Sequence, residues 1–455
     1  MFHRDCLRIT VGLSLMLCFS TLASHGNADQ VCCVSDMLPR AAVHASATSA
    51  PVRLRIEELD DEQASARSDY LYQMDSMYSE TASGDLTAPL VSGCDLWWGE
   101  AEYRLLWTTG NPVPPLVSAN STVPPRDQAG VLGMGDTQVL LGDERLDRAD
   151  RTGTALTLGF WFDACRDLGV QATWFYAGGA SDELNAVWQS AGVPVLARPF
   201  FNVATGVEDA QLVAYPDVVE GLMLAQTHSD LRSAETLLRT NWCRGPRGRI
   251  DILSGYRYLG FHEGLWLEEQ LTIRDPAGNV QIGTEVDLFD QFRTRNHFHG
   301  GMLGVLTSLD YGALSLDVAT KLGVGNVSRK SILQGQTQVR TPTGGAADSP
   351  GGLLVLPSNM GTFRDNSFGL LPELDIKARL LLSERLSVSV GYQLLFLTNV
   401  YRTGQQIDRR IDSGQLSPVL PTNSPTGSGQ TFPSNLANAS TLCAQGLSLG
   451  ISYAY

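Results

Sequence analysis

Two histidines separated by one residue, His297 and His299, are the pair whose spacing could do metal chemistry. Residues two apart on a β-strand point to the same face, so both imidazoles could reach one ion. Zinc, however, takes four protein ligands in a structural site and three in a catalytic one. Asp287 and Asp290 are near in sequence, but we favour the interpretation of the pair as two histidines of the aromatic girdle or the lumen. We therefore predict no metal and no cofactor, and we keep His297 and His299 as the candidate to check.

Motifs for other chemistry are missing. The chain has no Gly-x-Ser-x-Gly turn for a serine nucleophile and no Cys-x-x-Cys redox pair. Its 33 Lys+Arg stand against 48 Asp+Glu, a formal net charge of −15, whereas phosphate recognition along a nucleic acid needs a basic face. We predict a protein that is not an enzyme and does not bind nucleic acid.

Charged side chains recur on one face of several alternating segments, opposite apolar residues. They are Glu100, Glu102, Arg104, Asp251, Arg257, Asp317, Asp375, Lys377 and Arg379. If these segments line a barrel, the charges face its lumen. They would then either set up a field that tunes the passage of ions and small polar solutes, or pair with one another and fill the interior. The residues alone leave both interpretations open.

The elements that carry these residues show a period of two, which is typical of strands with one apolar and one polar face. The predicted strands are 97–107, 154–163, 169–177, 221–228, 235–242, 249–259, 264–274, 296–308, 313–323, 369–382, 386–397 and 446–455. Glu269 lies on the apolar face of 264–274, and we expect that the strand is short or that this side chain lies at the headgroup level.

Long and short connections alternate between the predicted strands, and the long ones include 108–153, 178–220 and 398–445. Outer-membrane barrels have long external loops, short periplasmic turns and an even number of antiparallel strands. The prediction is an all-β transmembrane antiparallel barrel of about 12 strands, within a range of 10–16.

The two ends of the chain point to the same location. Arg4 and Arg8 precede a short apolar run, which predicts a signal peptide over residues 1–28. An acidic, low-order segment over 29–93 and a barrel over 94–455 would follow. Tyr453 and Tyr455 end the last strand and are predicted to be the signal for the outer-membrane assembly machinery. The expected location is the cell outer membrane, in contact with its lipid.

Several stretches resemble a known family. They include Arg198-Pro199-Phe200-Phe201-Asn202, Asp251 to Tyr258, Asp290 to Gly300 and Gly352 to Asn359. With these stretches the chain resembles the bacterial, planctomycete-type beta barrel porin-7 family over about residues 96–415. The resemblance implies an outer-membrane barrel and a porin role, and it implies no catalytic residues.

Three functions follow as hypotheses. The first is a porin for passive diffusion of ions and small polar solutes. The second is a filled barrel with a structural or surface-interaction role through its long loops. The third is a secreted soluble β protein. Solute selectivity, disulfide pairing and oligomeric state are not predicted.

Overall fold

A computed structural model describes residues 96–146, 150–180, 184–275, 280–422 and 427–455. The predicted signal peptide (1–28) and acidic segment (29–93) lie outside these residues. None of the helices in the described residues is long and apolar enough to cross a membrane.

The described chain is all-β, with short 3-10 turns at Arg126–Gln128, Thr403–Gln406 and Ser413–Gln415. The strands are Trp97–Thr108 (β1), Asn111–Val113 (β2), Val117–Asn120 (β3), Gln138–Leu141 (β4), Glu144–Leu146 (β5), Asp150–Trp161 (β6), Leu168–Ala180 (β7), Asn185–Ser190 (β8), Val195–Asn202 (β9), Val207–Ala214 (β10), Val219–Gly245 (β11), Gly248–Ile273 (β12), Glu285–Tyr311 (β13), Leu314–Arg340 (β14), Ala346–Pro350 (β15), Gly361–Leu381 (β16), Leu386–Tyr401 (β17), Arg410–Ile411 (β18) and Ala439–Ala454 (β19).

A twelve-stranded antiparallel sheet confirms the predicted barrel. A closed circuit of pairings runs through ten of its strands, in the order β11, β12, β13, β14, β16, β17, β19, β1, β6, β7 and back to β11. The first and last strands close the seam, where Trp98 lies opposite Ala454. The other two strands, β8 and β15, extend the sheet beyond the ring, beside β11 and β14. The ring leaves no open edge at the level where it is closed.

Four strands, β11, β12, β13 and β14, are much longer than predicted. β11 spans 27 residues and β12 spans 26, so each one unites two strands that the sequence pattern separated. The predicted turn at 229–234 is therefore strand. The connection between β11 and β12 is a tight turn between Gly245 and Gly248, at the end of the barrel where the other short turns and the C-terminus lie. That end is periplasmic in outer-membrane barrels.

The apolar face changes sides along the long strands. Near the turn end apolar residues point outward, as Leu303 and Leu322 do. Farther out they point inward, as Leu265, Leu288 and Leu333 do. The outward apolar zone is called the apolar belt below. Since outer-membrane barrels carry a lipid-facing apolar band about 25 Å tall, the belt marks the membrane and the rest of β11–β14 projects beyond it.

A second, five-stranded sheet of β3, β4, β9, β10 and β18, called the plug sheet below, explains this inversion. Val195, Phe200 and Leu212 of the plug sheet share one buried cluster with Leu265 and Leu288 of the long strands. The plug sheet therefore packs on the inner faces of the projecting strands. The long connections 108–153, 178–220 and 398–445 are largely built into this layer.

Candidate functional site

The nine predicted lumen residues all lie on the inner face of the ring. β1 brings in Glu100, Glu102 and Arg104, β12 brings in Asp251 and Arg257, β14 brings in Asp317, and β16 brings in Asp375, Lys377 and Arg379. Lys377 Nζ lies 2.9 Å from Glu100 Oε1 and 2.9 Å from Glu102 Oε1, which links β16 to β1. Arg104 Nη2 lies 2.5 Å from Glu102 Oε2. Glu100, Glu102, Arg104 and Lys377 thus form ion pairs with one another, as Asp317 and Arg379 do, whereas Asp251 and Arg257 pair with residues outside the predicted set.

A second set of ion pairs joins strands that are three apart around the ring. Arg257 on β12 pairs with Glu373 on β16, and Lys321 on β14 reaches Glu235 on β11 at 3.1 Å. Lys321 also lies 3.0 Å from Glu373, and Arg257 lies 3.1 Å from Glu235. Two cations and two carboxylates therefore balance each other. We call this group, with Glu100, Glu102, Arg104 and Lys377, the interior charge network.

The interior charge network is almost fully buried. Glu102, Arg104 and Arg257 expose only 5%, 6% and 4% of their surface. Ions in a water-filled channel would keep their hydration, whereas these charges are satisfied by each other. The interior at this level is filled by side chains.

Other layers fill the barrel below and above the network. Toward the turn end, the guanidinium groups of Arg239 and Arg249 each lie 4.8 Å from the centre of the Trp161 ring. Asp251 pairs with both of these arginines, at 2.7 and 2.6 Å. On the external side, inward apolar residues form a continuous buried cluster that includes Phe261, Phe298 and Leu397. The plug sheet follows.

A buried cluster of charges ties the plug sheet to the wall. Arg198 of β9 lies 2.5 Å from Glu269 Oε1 on β12 and 2.8 Å from Asp290 Oδ2 on β13. Gln211 of β10 donates to Glu269 Oε2 at 2.6 Å. Asp290 also accepts hydrogen bonds from the backbone amides of Leu353, Leu354 and Val355. The expectation for Glu269 is wrong: its side chain faces inward, because the plug sheet and not lipid covers that face.

The two candidate metal ligands sit on the outer face of β13. Tyr258 Oη lies 2.9 Å from His297 Nδ1, and Tyr256 Oη lies 2.6 Å from His299 Nδ1. Each histidine thus has one ring nitrogen in contact with a tyrosine of β12.

Among the described residues, the group with metal-like spacing is Asp163, Cys165 and Asp167, in the turn between β6 and β7. Both oxygens of Asp163 already accept backbone amides, from Asp167 and Leu168 at 2.9 Å each. Burial raises the pKa of this carboxyl, but these hydrogen bonds outweigh it and hold the pKa below its usual value. The turn is explained without an ion.

The last residues of the chain close the barrel seam. Trp97 donates its amide to the Tyr455 carbonyl at 3.0 Å, and the Tyr455 amide donates back at 2.8 Å. Tyr453 and Tyr455 are exposed on the outside of the barrel at its turn end. Their role in assembly stays a prediction.

Several interior residues were missed by the sequence analysis. Lys321 and Glu373 lie on the same strand faces as Asp317 and Asp375, and Glu235 lies on the inner face of β11, so the alternation contained the signal. Arg198 and Asp290 carried no such signal, because their pairing depends on how the plug sheet docks.

Comparison with known proteins agrees with this architecture. The family model for beta barrel porin-7 (BBP7) matches residues 98–455. No curated protein matches the chain.

Solved structures give distant likenesses. The outer membrane protease OmpT from Escherichia coli is 11% identical with a TM-score of 0.37, covering 82% of this chain and 100% of its own. A major outer membrane protein from Thermus thermophilus is 10% identical with a TM-score of 0.21, covering 78% and 99%. Similarities this remote carry no inference about activity. The family match over nearly the whole described chain does identify its class: this protein is an outer-membrane-type β-barrel that belongs to the beta barrel porin-7 family.

Proposed function

We propose that this protein is a closed, non-enzymatic outer-membrane barrel with a structural and surface-interaction role, exercised by the part of the chain that projects beyond the apolar belt. The observation that carries the proposal is the burial of the interior charge network beneath the plug sheet. A path for solutes would have to break ion pairs such as Lys377–Glu102.

The projecting part supports this role. Strands β8, β11, β12, β13, β14 and β15 form one curved wall, and the plug sheet fills its concave side. The plug is held by buried ion pairs and a large apolar cluster, so it presents a rigid outer surface. In this proposal Tyr453 and Tyr455 serve the assembly machinery that inserts the barrel, and lipid covers the apolar belt.

A gated porin is the second candidate, and the family description favours it. Passive diffusion of small polar solutes would then require the plug sheet to move away and the interior charge network to separate.

Removal of the protein from its native envelope separates the two candidates. Loss of a porin slows the uptake of small polar solutes, whereas loss of a structural barrel leaves uptake unchanged or increases leakage of periplasmic proteins. We expect the second result, together with restoration by the wild-type gene. Slower solute uptake in the deletion strain, restored by the same gene, would overturn the proposal in favour of the porin.

A further inference from the structure

Three cations stand side by side on the outer face of the barrel. Arg295 of β13 lies directly opposite Lys330 of β14, and Lys330 lies directly opposite Arg364 of β16. We call these three residues the cationic row. We propose that the cationic row binds the phosphate groups of an outer-leaflet glycolipid whose acyl chains pack on the apolar belt beneath it.

The register of the row is the first argument. Directly opposite residues in an antiparallel sheet bring their Cβ atoms to about 5 Å, and like charges in such positions repel each other. Arg293 adds a fourth exposed cation two residues along β13. A protein with 48 acidic and 33 basic residues has no compositional reason to gather its cations in this way. An anion bound between these cations would offset their mutual repulsion.

The absence of protein partners is the second argument. Within the described chain, none of Arg295, Lys330 and Arg364 forms an ion pair with a carboxylate, whereas the cations inside the barrel are paired. The carboxylate on the same line of the sheet is Asp230 of β11, and it is engaged by His262 Nδ1 at 3.2 Å. The row therefore keeps its full positive charge available.

The height of the row is the third argument. Arg364 lies four residues along β16 from the exposed Phe368 of the belt, and Lys330 lies six residues along β14 from Val324. At ~3.3 Å per residue and a strand tilt of ~40°, this places the row roughly 10–15 Å above the belt. A simple lipid headgroup is too short to span that distance comfortably, whereas a sugar headgroup with phosphates can reach it.

The surface between belt and row suits a sugar. It carries Tyr256, Tyr258, His297 and His299, whose rings lie against one another on β12 and β13. Each imidazole meets its tyrosine hydroxyl through Nδ1, so Nε2 can bond a hydroxyl of the lipid, as donor or acceptor according to the tautomer.

Native mass spectrometry of the full protein in non-ionic detergent tests the proposal. The probe is bis-phosphorylated lipid A, compared with the same lipid without phosphates and with inorganic phosphate alone. The test variant is Arg295→Gln/Lys330→Gln/Arg364→Gln. The matched control, Arg247→Gln/Arg340→Gln/Arg385→Gln, removes three positive charges elsewhere. Heat-dependent gel migration checks that each variant is folded, and Arg295→Gln alone serves if the triple variant is not.

We expect wild type and control to bind the phosphorylated lipid alike, and the test variant to bind about tenfold more weakly, since charge-assisted hydrogen bonds to phosphate are lost. Removing the phosphates from the lipid should weaken wild-type binding to the same degree. Equal binding by the test variant, equal loss in the control, or undiminished binding of the phosphate-free lipid would overturn the proposal. Tight binding of inorganic phosphate alone would also overturn it, in favour of a site for soluble anions.

Discussion

Arg257 of β12 and Glu373 of β16 form an ion pair across the inside of the barrel, three strands apart around the ring. Lys321 and Glu235 complete the group, so each carboxylate contacts both cations. Because the four charges cancel and are almost fully buried, they bind distant parts of the wall to each other and occupy the space that a channel would need. The same four charges thus fill the interior at this level and link strands that are three apart around the ring.

Removing one member of this group should destabilise the barrel. Arg257→Met leaves two buried carboxylates with Lys321 alone, and breaking a buried pair in this way costs about 3–5 kcal/mol. The double variant Arg257→Met/Glu373→Leu keeps the balanced Lys321–Glu235 pair, so most of the stability should return. Urea unfolding, followed by heat-dependent gel migration, measures the stability of the single and the double variant. A double variant that is less stable than Arg257→Met would contradict this explanation.

The plug sheet should depend on Arg198. Arg198→Met leaves Glu269 and Asp290 buried without their cation. We expect this to reduce the free energy that holds the plug sheet against the wall by about 3–5 kcal/mol, while the ring stays folded. Limited proteolysis should then cut the connections of the plug sheet. The matched control is Arg126→Met, which removes an exposed pair with Asp275 and should cost less than about 1 kcal/mol. Equal protease resistance of wild type and Arg198→Met would count against the anchor.

The position of the apolar belt predicts which outward-facing residues contact lipid. Leu449 of β19 is exposed on the outer face within the belt, and Gln334 of β14 is exposed on the outer face of the projecting wall. Leu449→Lys places a charge against lipid and should cost about 2–4 kcal/mol of folding free energy in vesicles, whereas Gln334→Lys should be close to neutral. The assignment of the membrane level fails if the two substitutions cost the same.

One external connection should respond to acid. Asp412 accepts hydrogen bonds from the amides of Ser428 at 2.9 Å and Gln430 at 2.7 Å. Burial raises the pKa of its carboxyl, but these hydrogen bonds outweigh it and hold the pKa below its usual value. A lowered pKa stabilises the fold above the unfolded value of ~3.9, and this contribution is lost as the pH falls through the folded value.

Hydrogen exchange at Ser428 and Gln430 measures the effect. Asp412→Asn should weaken amide protection at pH 7, and the difference from wild type should disappear in strong acid. The exposed Asp127→Asn is the control and should change nothing. A difference between wild type and Asp412→Asn that is the same at every pH would refute the role of the charge.

The sequence predicted the barrel better than its contents. Alternation in β1, β16 and β19 identified their lipid and interior faces, because a strand that crosses a membrane must keep one apolar side. The same rule failed at Glu269, where Leu265, Leu267 and Leu271 suggested lipid but contact the plug sheet. An alternating pattern predicts that the apolar face of a strand is buried, but it does not distinguish burial by lipid from burial by another part of the protein. The pairing of Arg198 with Asp290, 92 residues away, depends on a docking that local pattern cannot encode.

Single-channel recording of the purified protein in planar bilayers tests the central claim most directly. With the interior charge network and plug sheet in place, the wild-type barrel should insert without stepwise conductance. The variant Arg104→Ala/Arg257→Ala/Lys377→Ala, with the plug anchor also removed by Arg198→Met, should conduct more than wild type if it inserts. Steady, ohmic conductance steps from the wild-type protein would show an open lumen and contradict the account.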